Sequence, residues 1–460
     1  MRQQKEIESL KDKIGLYIIQ NTRLMQRIVE LETKANQNSK NSHLPPSKDK
    51  HLIKIKAAQE RRKGGKTGGQ YGHEGSTLEK SEYIDETILL KKQKCTCGKN
   101  LQNVPTTLVE TRQVFELPKI ELRITEYQKM VSQCPCCGQL NHGVFPEGIE
   151  SPTQYGQRLR AFCTMLNVEY KLPLNKIQAI TGDLLGIFIN ESTIYNGNKA
   201  AYKYLTKTEE QVKEKLLASP IINVDETGAE SGKKLEWAHV ISNWQCTYIY
   251  IHEQRGGEAI LNDSSFLIKY TGRMVHDCFS TYFKLTRSAH STCGSHLLRE
   301  LEAQNENKRK WSVNMQKLLL ALKDQSQWHN KKNKTGIYKQ YERILDQGKK
   351  EEPPPERSGS RGRLKKSKGL NLIERMLGYK QYVLAYAFDK NIPFTNNQAE
   401  RDLRHIKIKL KISGCFRSEL GTRIYARISS FISTLKKNKM NILENLTSLF
   451  QNREFRFNWA

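Results

Sequence analysis

Three acidic residues, Asp225, Asp277 and Glu400, stand apart by local setting from the other carboxylates of this 460-residue chain. Asp225 ends the short apolar run Ile221-Ile222-Asn223-Val224, and Asp277 ends Gly272-Arg273-Met274-Val275-His276. Glu400 falls in the first turns of a helix that Asn396 or Asn397 is expected to cap. Acids at strand ends lie on the open edge of a sheet, where a cation and a phosphate can reach them. An all-oxygen ligand set suits Mg2+ or Mn2+, hard ions that keep part of their water and accept phosphate oxygens. Two such ions about 3.5–4 Å apart can activate a nucleophile and stabilise the leaving oxygen of an in-line displacement at phosphorus. Any one of the acids alone reads as a turn or capping residue. The set in its context points to phosphodiester chemistry.

The elements needed to position these acids can be read around them. Leu235–Ser242 and Cys246–His252 are β-like runs joined by a turn at Asn243, Glu258–Tyr270 reads as a helix, and the strand into Asp277 follows. Three strands, a helix, then a strand with an acid at its end is the order of an RNase H-like sheet. A catalytic domain is therefore expected over 215–420, with a mostly helical insertion at about 295–388 and a helical segment over 421–460. Between the insertion's helices lies a Pro-rich basic loop holding Arg361, Arg363, Lys365 and Lys366. It is either a solvated loop or a contact for DNA phosphates.

Composition fixes the kind of partner but not the fold. Lys and Arg total 76 against 48 Asp and Glu, a net charge of +28. Such an excess favours a polyanion, because phosphate neutralisation releases condensed counterions. No apolar run reaches the roughly 18–20 residues that span a bilayer, so no membrane partner is expected and the chain is read as cytoplasmic. Ten cysteines in a cytosolic chain are read for metal or packing, not for disulfides.

Ahead of the core the chain reads as several small modules. Ile7, Ile14, Asn21 and Ile28 alternate with Leu10, Tyr17, Leu24 and Leu31 in four heptads, the pattern of a parallel coiled coil over 1–35 and hence of a homodimer or higher oligomer. An ordinary amphipathic helix is the other reading. A flexible, basic, Gly-rich linker over 36–82 follows. Its Gly65-Lys66-Thr67 is not a phosphate loop, since Glu60 occupies the first glycine position and no strand precedes it. Residues 83–148 read as short strands with cysteines at both ends. Cys95, Cys97, Cys134 and Cys137 would supply four sulfurs for a structural Zn2+; the first pair is tightly spaced, so Cys136 is a substitute ligand. Unpaired thiols in a decayed knuckle are the alternative. Over 150–210 the period turns helical. Gln157–Val168 is one helix, Leu174–Ile180 a second broken at Gly182, and a third opens with Ser192 as its cap, together resembling a DNA-binding helix-turn-helix.

Read together, these segments make a multidomain α/β protein: coiled coil, small zinc-knuckle β domain, helix-turn-helix-like helical domain and RNase H-like core with its insertion. Over nearly its whole length the sequence resembles the transposases of the insertion-sequence-66 family. The resemblance rests on the N-terminal zipper, Asn36–Ser47, Gly68-Gly69-Gln70-Tyr71-Gly72-His73, the cysteine knuckle, Val224–Thr227, Gly272–Asp277, Cys293-Gly294-Ser295-His296-Leu297-Leu298-Arg299, Asn396–Arg401 and Ile412–Ser418. Tyr71 stands where the family usually has proline.

The resemblance implies a DDE transposase of a bacterial mobile element, nucleoid-associated. It would bind double-stranded DNA at terminal inverted repeats, cut and rejoin it with Asp225, Asp277 and Glu400 on Mg2+ (or Mn2+), and work with small accessory proteins. It also directs attention to Arg401, Arg404 and Arg417 as phosphate contacts, with pairing to core acids as the other role for the first two. Cys293 and His296, one helical turn apart, either brace the insertion or bind metal. A catalytically inactive transposase-derived DNA-binding protein or repressor, and a structure-selective nuclease on the same fold, are the competing readings.

Overall fold

The computed structural model describes Leu24 and residues 77–459, apart from 233, 263–264, 325–332, 356–363 and 365. The heptads and most of the basic linker lie outside the described residues, as do Arg361, Arg363 and Lys365. The chain divides into two compact units, residues 50–124 and the remainder.

Among the described residues of the smaller unit, regular structure is confined to an antiparallel bridge, Lys94 to Asn100. It closes a turn in which the Cys95 N–H donates to Lys99 O at 2.9 Å and Gly98 takes φ 88°. The larger unit contains a turn of the same kind. It joins β1 (Val131–Gln133) to β2 (Leu140–His142), with the Cys134 N–H on Gln139 O at 2.8 Å and Gly138 at φ 71°. The left-handed residue is glycine in both, where a Cβ would strain the turn. Other strands expected over 83–146 are absent among the described residues: apolar side chains there, such as Leu90, Val109 and Ile124, are exposed, so no packed face drives their pairing.

Three helices follow, α1 (Gln157–Val168), α2 (Leu174–Leu185) and α3 (Glu191–Tyr204). They share a small core of Cys163, Ile177, Ile189 and Ile194. Two expected details differ. Gly182 does not break α2, because it is the site of close approach to Phe188, whose ring a Cβ would meet at 2.3 Å; the helix ends at Gly186, φ 70°. The cap of α3 is Asn190, whose Oδ1 accepts both the N–H and the hydroxyl of Ser192.

α4 (Thr206–Leu217) leads into a five-stranded mixed sheet made of β3 (Ile221–Ser231), β4 (Lys234–Ser242), β5 (Thr247–His252), β6 (Arg273–His276) and β7 (Ala289–Thr292). Its order is β5-β4-β3-β6-β7, antiparallel across the first three and parallel across the last three. Asp225 therefore does not end its strand. β3 runs on through Ser231 because nine residues pair with β4, and that ladder outweighs the weak strand propensity of Asp225-Glu226-Thr227-Gly228. The helix expected over Glu258–Tyr270 shrinks to one turn, α5 (Gly257–Ile260), and a 3-10 turn at Leu267–Lys269. Asn262 and Ser265 side chains donate to Glu258 O and Ile260 O, both at 2.6 Å, and so stop the helix.

Helices α6 (Gly294–Glu306), α7 (Lys310–Asp324), α8 (Lys334–Glu351), α9 (Lys368–Gly378), α10 (Lys380–Val383) and α11 (Ala385–Phe388) build a second hydrophobic core around Trp311, Tyr341 and Ile373. α12 (Asn397–Ser413) returns to pack on β3 and β4, followed by α13 (Glu419–Lys437) and α14 (Ile442–Asn452). α13 also covers the β5 edge. Thr247 N–H and Ile249 N–H donate to the hydroxyls of Thr434 and Ser430, so two edge donors that could recruit a foreign strand are satisfied.

α12 carries a buried lysine. Lys409 lies against Tyr425 and donates to Lys171 O at 3.3 Å, and burial, then the nearby Lys171 charge, pull it down to about 8 from 10.5. The unfolded chain binds more protons between those two values, so Lys409 adds stability as pH rises through that window and subtracts from it below about 8. Lys409→Met is expected to raise the thermal midpoint, more at pH 7 than at pH 10. Scanning fluorimetry at both pH values checks this, and a lower midpoint at pH 7 contradicts it.

Candidate active site

The parallel pairing of β3 with β6 brings the first two acids together. Asn223 pairs with Val275, so two residues further on Asp225, within β3, lies beside Asp277, which directly follows the last residue of β6. Burial raises the Asp225 carboxyl to about 7, and the charges of Glu226 and Asp277 push the same way. Asp225 Oδ1 accepts the Glu226 N–H at 2.9 Å, and Asp277 Oδ1 accepts the Phe279 N–H at 3.0 Å. Each acid thus uses one oxygen to fix its own turn of backbone.

Side chains alternate along a strand, so Glu226 projects to the opposite face of β3 from Asn223 and Asp225. Its Oε2 accepts the Tyr282 hydroxyl at 2.7 Å and its Oε1 the Arg255 guanidinium at 2.9 Å. Arg255 lies over the rings of Trp237 and Phe279. Burial first, then Asp277, raises Glu226, against the lowering effect of Tyr282 and Arg255. Sequence reasoning missed this trio. Glu226 was visible only as the neighbour of Asp225, and nothing in the sequence ties Arg255 or Tyr282 to it.

Asn396 decides where Glu400 goes. It occupies the cap position of α12, but its side chain does not cap the helix as expected. Fully buried, it accepts from Asn223 Nδ2 at 2.9 Å and donates to Val224 O at 2.8 Å, while its backbone N–H donates to Cys293 Sγ at 3.1 Å. Two buried groups on β3 claim the amide, and leaving them unmatched costs more than an exposed cap gains. The start of α6 joins the same knot. The Gly294 N–H donates to Phe394 O at 2.8 Å, and the Phe394 ring fills the space where a Cβ on Gly294 would lie, 2.3 Å away.

Glu400 is in the first turn of α12 and faces the first turn of α6. Its Oε1 is buried without a hydrogen-bond partner, 3.9 Å from His296 Nδ1, which is likewise buried and unpartnered. Cys293, His296 and Glu400 are the one group of three or more His, Cys, Asp or Glu among the described residues whose ligating atoms all lie within 4.8 Å of each other. The structure thus brings Asp225 to Asp277, and Glu400 to Cys293 and His296. His296 links the two groups, since its charge also acts on Asp225. Contact with Cys293 raises His296 to about 9 in spite of burial, with Glu400 adding to the shift. Burial pushes the Cys293 thiol up, but His296 and the Asn396 N–H outweigh it and hold the thiol below its ordinary value. His276, beside Asp277, is enclosed in the sheet against His290, Tyr282 and Phe283, and burial brings it down to about 3. It is a packed, neutral side chain.

The expected phosphate contacts separate. Arg401 and Arg404 are exposed on α12 and pair with no carboxylate among the described residues; Arg401 donates to Gln398 Oε1 at 2.8 Å. The nearby core acid Asp402 is taken by Lys437 at 2.8 Å. Lys407 and Lys411 continue the exposed basic stripe along the same helix. Arg417 is exposed beside Phe416, which bridges the end of β3. Lys366 is not free, being paired with Glu374 at 2.5 Å.

A mixed α/β core built on a five-stranded mixed sheet is consistent with a transposase core. Residues 152–424 match the family model described as Transposase IS66 family, well over half of the chain, and the chain belongs to that family. Residues 1–79 match a family of unknown function, DUF6444. No curated protein matches the chain. Among the described residues no helix is long and apolar enough to cross a membrane.

Asn396→Ala strips Asn223 Nδ2 and Val224 O of their partners, each unmatched buried group costing about 1–3 kcal/mol. A denaturation midpoint well below that of the wild-type chain is expected. An unchanged midpoint would remove Asn396 as the clasp.

Proposed function

We propose that this chain is a DDE-type DNA transposase with an RNase H-like core, which cleaves and rejoins DNA at the terminal inverted repeats of its element. The observation that carries this reading is the apposition of Asp225 on β3 and Asp277 directly after the parallel strand β6, with the Glu400 helix clasped to β3 by Asn396. The order β5-β4-β3-β6-β7 supports the RNase H-like assignment.

The residues fit a hard divalent ion. Asp225 and Asp277 supply oxygen donors, Asp225 is held near 7 by burial and by its acidic neighbours, and Glu400 Oε1 is buried with no partner. A cation relieves each of these costs. Mg2+ or Mn2+ held by Asp225, Asp277 and Glu400 supplies charge neutralisation at the scissile phosphate and a lowered pKa for the attacking hydroxyl. The chain's own side chains orient the rest. Glu226, clamped by Tyr282 and Arg255, stiffens β3 behind Asp225, and the turn closed by Phe279 N–H aims Asp277. Neutral His276 is a packing group with no part in proton transfer.

DNA contact is assigned to the exposed stripe Arg401, Arg404, Lys407 and Lys411 and to Arg417, which can neutralise phosphates without specifying sequence. Helices α2 and α3, joined through Gly186 and Asn190, are the groove-reading candidate. Bringing two element ends together requires at least two copies of the chain, which is the role assigned to the N-terminal heptads; accessory proteins of the same element are further partners.

Asp225→Ala is expected to lower Mg2+-dependent nicking of an oligonucleotide bearing the element end by on the order of 100-fold or more, the scale of losing one electrostatic stabiliser at a reaction centre. Nicking by the variant at the wild-type rate would sink the assignment. Binding of the same oligonucleotide without nicking by the wild-type chain would favour the inactive, DNA-binding alternative.

A further inference from the structure

We infer that Cys293, His296 and Glu400 form a second metal site, one that takes a borderline-soft divalent cation of the Zn2+ class and, when filled, withdraws Glu400 from the hard-ion set. The site itself stands on its own geometry; the consequence for cleavage rests on the function proposed above.

The donor types select the ion. One thiol sulfur, one imidazole nitrogen and one carboxylate oxygen suit Zn2+ or Co2+ far better than Mg2+, which prefers oxygen and retains its water. Three protein ligands are also the number that leaves a tetrahedral ion one open position. The spacing agrees. All three ligating atoms lie within 4.8 Å of one another. His296 Nδ1 and Glu400 Oε1 face each other at 3.9 Å, both buried and neither hydrogen-bonded. That separation is too long for a hydrogen bond. An ion about 2.0–2.2 Å from each atom bridges it.

The frame around the ligands is already rigid. Cys293 is the N-cap residue of α6 and His296 follows one turn later, which places them on one side of the helix start. Cys293 Sγ accepts the Asn396 N–H, an outer-shell bond of the kind that orients a thiolate ligand. Glu400 arrives from the first turn of α12, and the two helix starts are tied by the Gly294–Phe394 bond and by Asn396. Little is left to order when the ion arrives. Because the ion takes Glu400 Oε1, the same oxygen the hard-ion set would use, its binding competes with completion of an Asp225–Asp277–Glu400 set.

The test uses Co2+ as the spectroscopic probe on the full chain. Titration is followed through the thiolate-to-cobalt absorption in wild type, Cys293→Ser and His296→Gln. The difference spectrum against Cys293→Ser removes any contribution from the cysteines of the N-terminal half. The expected result is one cobalt equivalent lost in Cys293→Ser and affinity for that equivalent lowered about 10-fold or more in His296→Gln. Identical titrations for wild type and both variants overturn the site. Circular dichroism confirms folding, and His296→Gln, at a partly exposed position, serves as the decisive variant if Cys293→Ser does not fold.

In a second arm Zn2+ is added to the Mg2+-dependent nicking assay, each protein being normalised to its own zinc-free rate. Half-inhibition is expected to move to about 10-fold higher Zn2+ in His296→Gln. Equal inhibition of both proteins overturns the link to Glu400. If the wild-type chain does not nick at all, the proposed function fails, while the cobalt titration still decides the site.

Discussion

The arrangement around the candidate active site depends on one buried amide. Asn396 joins β3, α6 and α12 through three hydrogen bonds made inside the protein, where an unmatched donor or acceptor is expensive. Each bond fixes a different element. The amide holds α12 against the backbone at Val224, one residue before Asp225, and orients Asn223 beneath it. The backbone N–H reaches Cys293 at the head of α6. Glu400, four residues after Asn396, inherits its place from this knot and not from any contact of its own carboxylate.

Electrostatics then separates the carboxylates that are paired from those that are not. In a chain with net charge +28, three of the four buried acids among the described residues have found a cation: Glu226 has Arg255, Asp402 has Lys437 and Glu352 has Arg309, while Glu236 has no ion pair. Those pairs lock β3, α12 and α13 to their neighbours, and removing one partner of such a pair costs far more than the pair contributes in an exposed setting. Asp225 and Asp277 have no ion-pair partner among the described residues, and Glu400 has only the distant His296. Carboxylates left unpaired in so basic a protein are what the cation site proposed above would use.

Much of this was legible in the sequence wherever the cause is local. The 3.6-residue spacing of Gln157–Val168 gives α1 with the same limits, and the apolar runs before Asp225 and Asp277 mark β3 and β6. What could not be read has a long-range cause. The second half of β3 is too polar and glycine-containing to read as strand, and it is strand because β4 pairs with it. Asn396 has the residue type of a cap, yet two partners more than 170 positions away claim its amide. Glu226 meets Arg255 and Tyr282 from 29 and 56 positions away, and nothing local announces either contact. Gly182 looked like a breaker because composition alone does not separate a glycine needed for close packing from one needed for a left-handed turn.

The hundred or so residues between Gly294 and Phe394 raise the question of how so remote a carboxylate can be placed reliably. Loop-closure entropy grows only logarithmically, about 0.6 kcal/mol for each doubling of length, so a long excursion is thermodynamically mild once its ends meet. They meet at the Gly294–Phe394 hydrogen bond, with Asn396 and Cys293 paired just beside it. Between those ends the insertion is not slack chain, since it has its own buried core around Trp311, Tyr341 and Ile373. That core also packs against Ile221 at the start of β3 and Cys278 just after Asp277. The insertion core therefore braces the start of β3 and the residue after Asp277, while the helix that carries Glu400 rests on β3 itself. The insertion's length in sequence is immaterial to where Glu400 lies, because the bonds of Asn396 and Gly294 at its two ends fix that place.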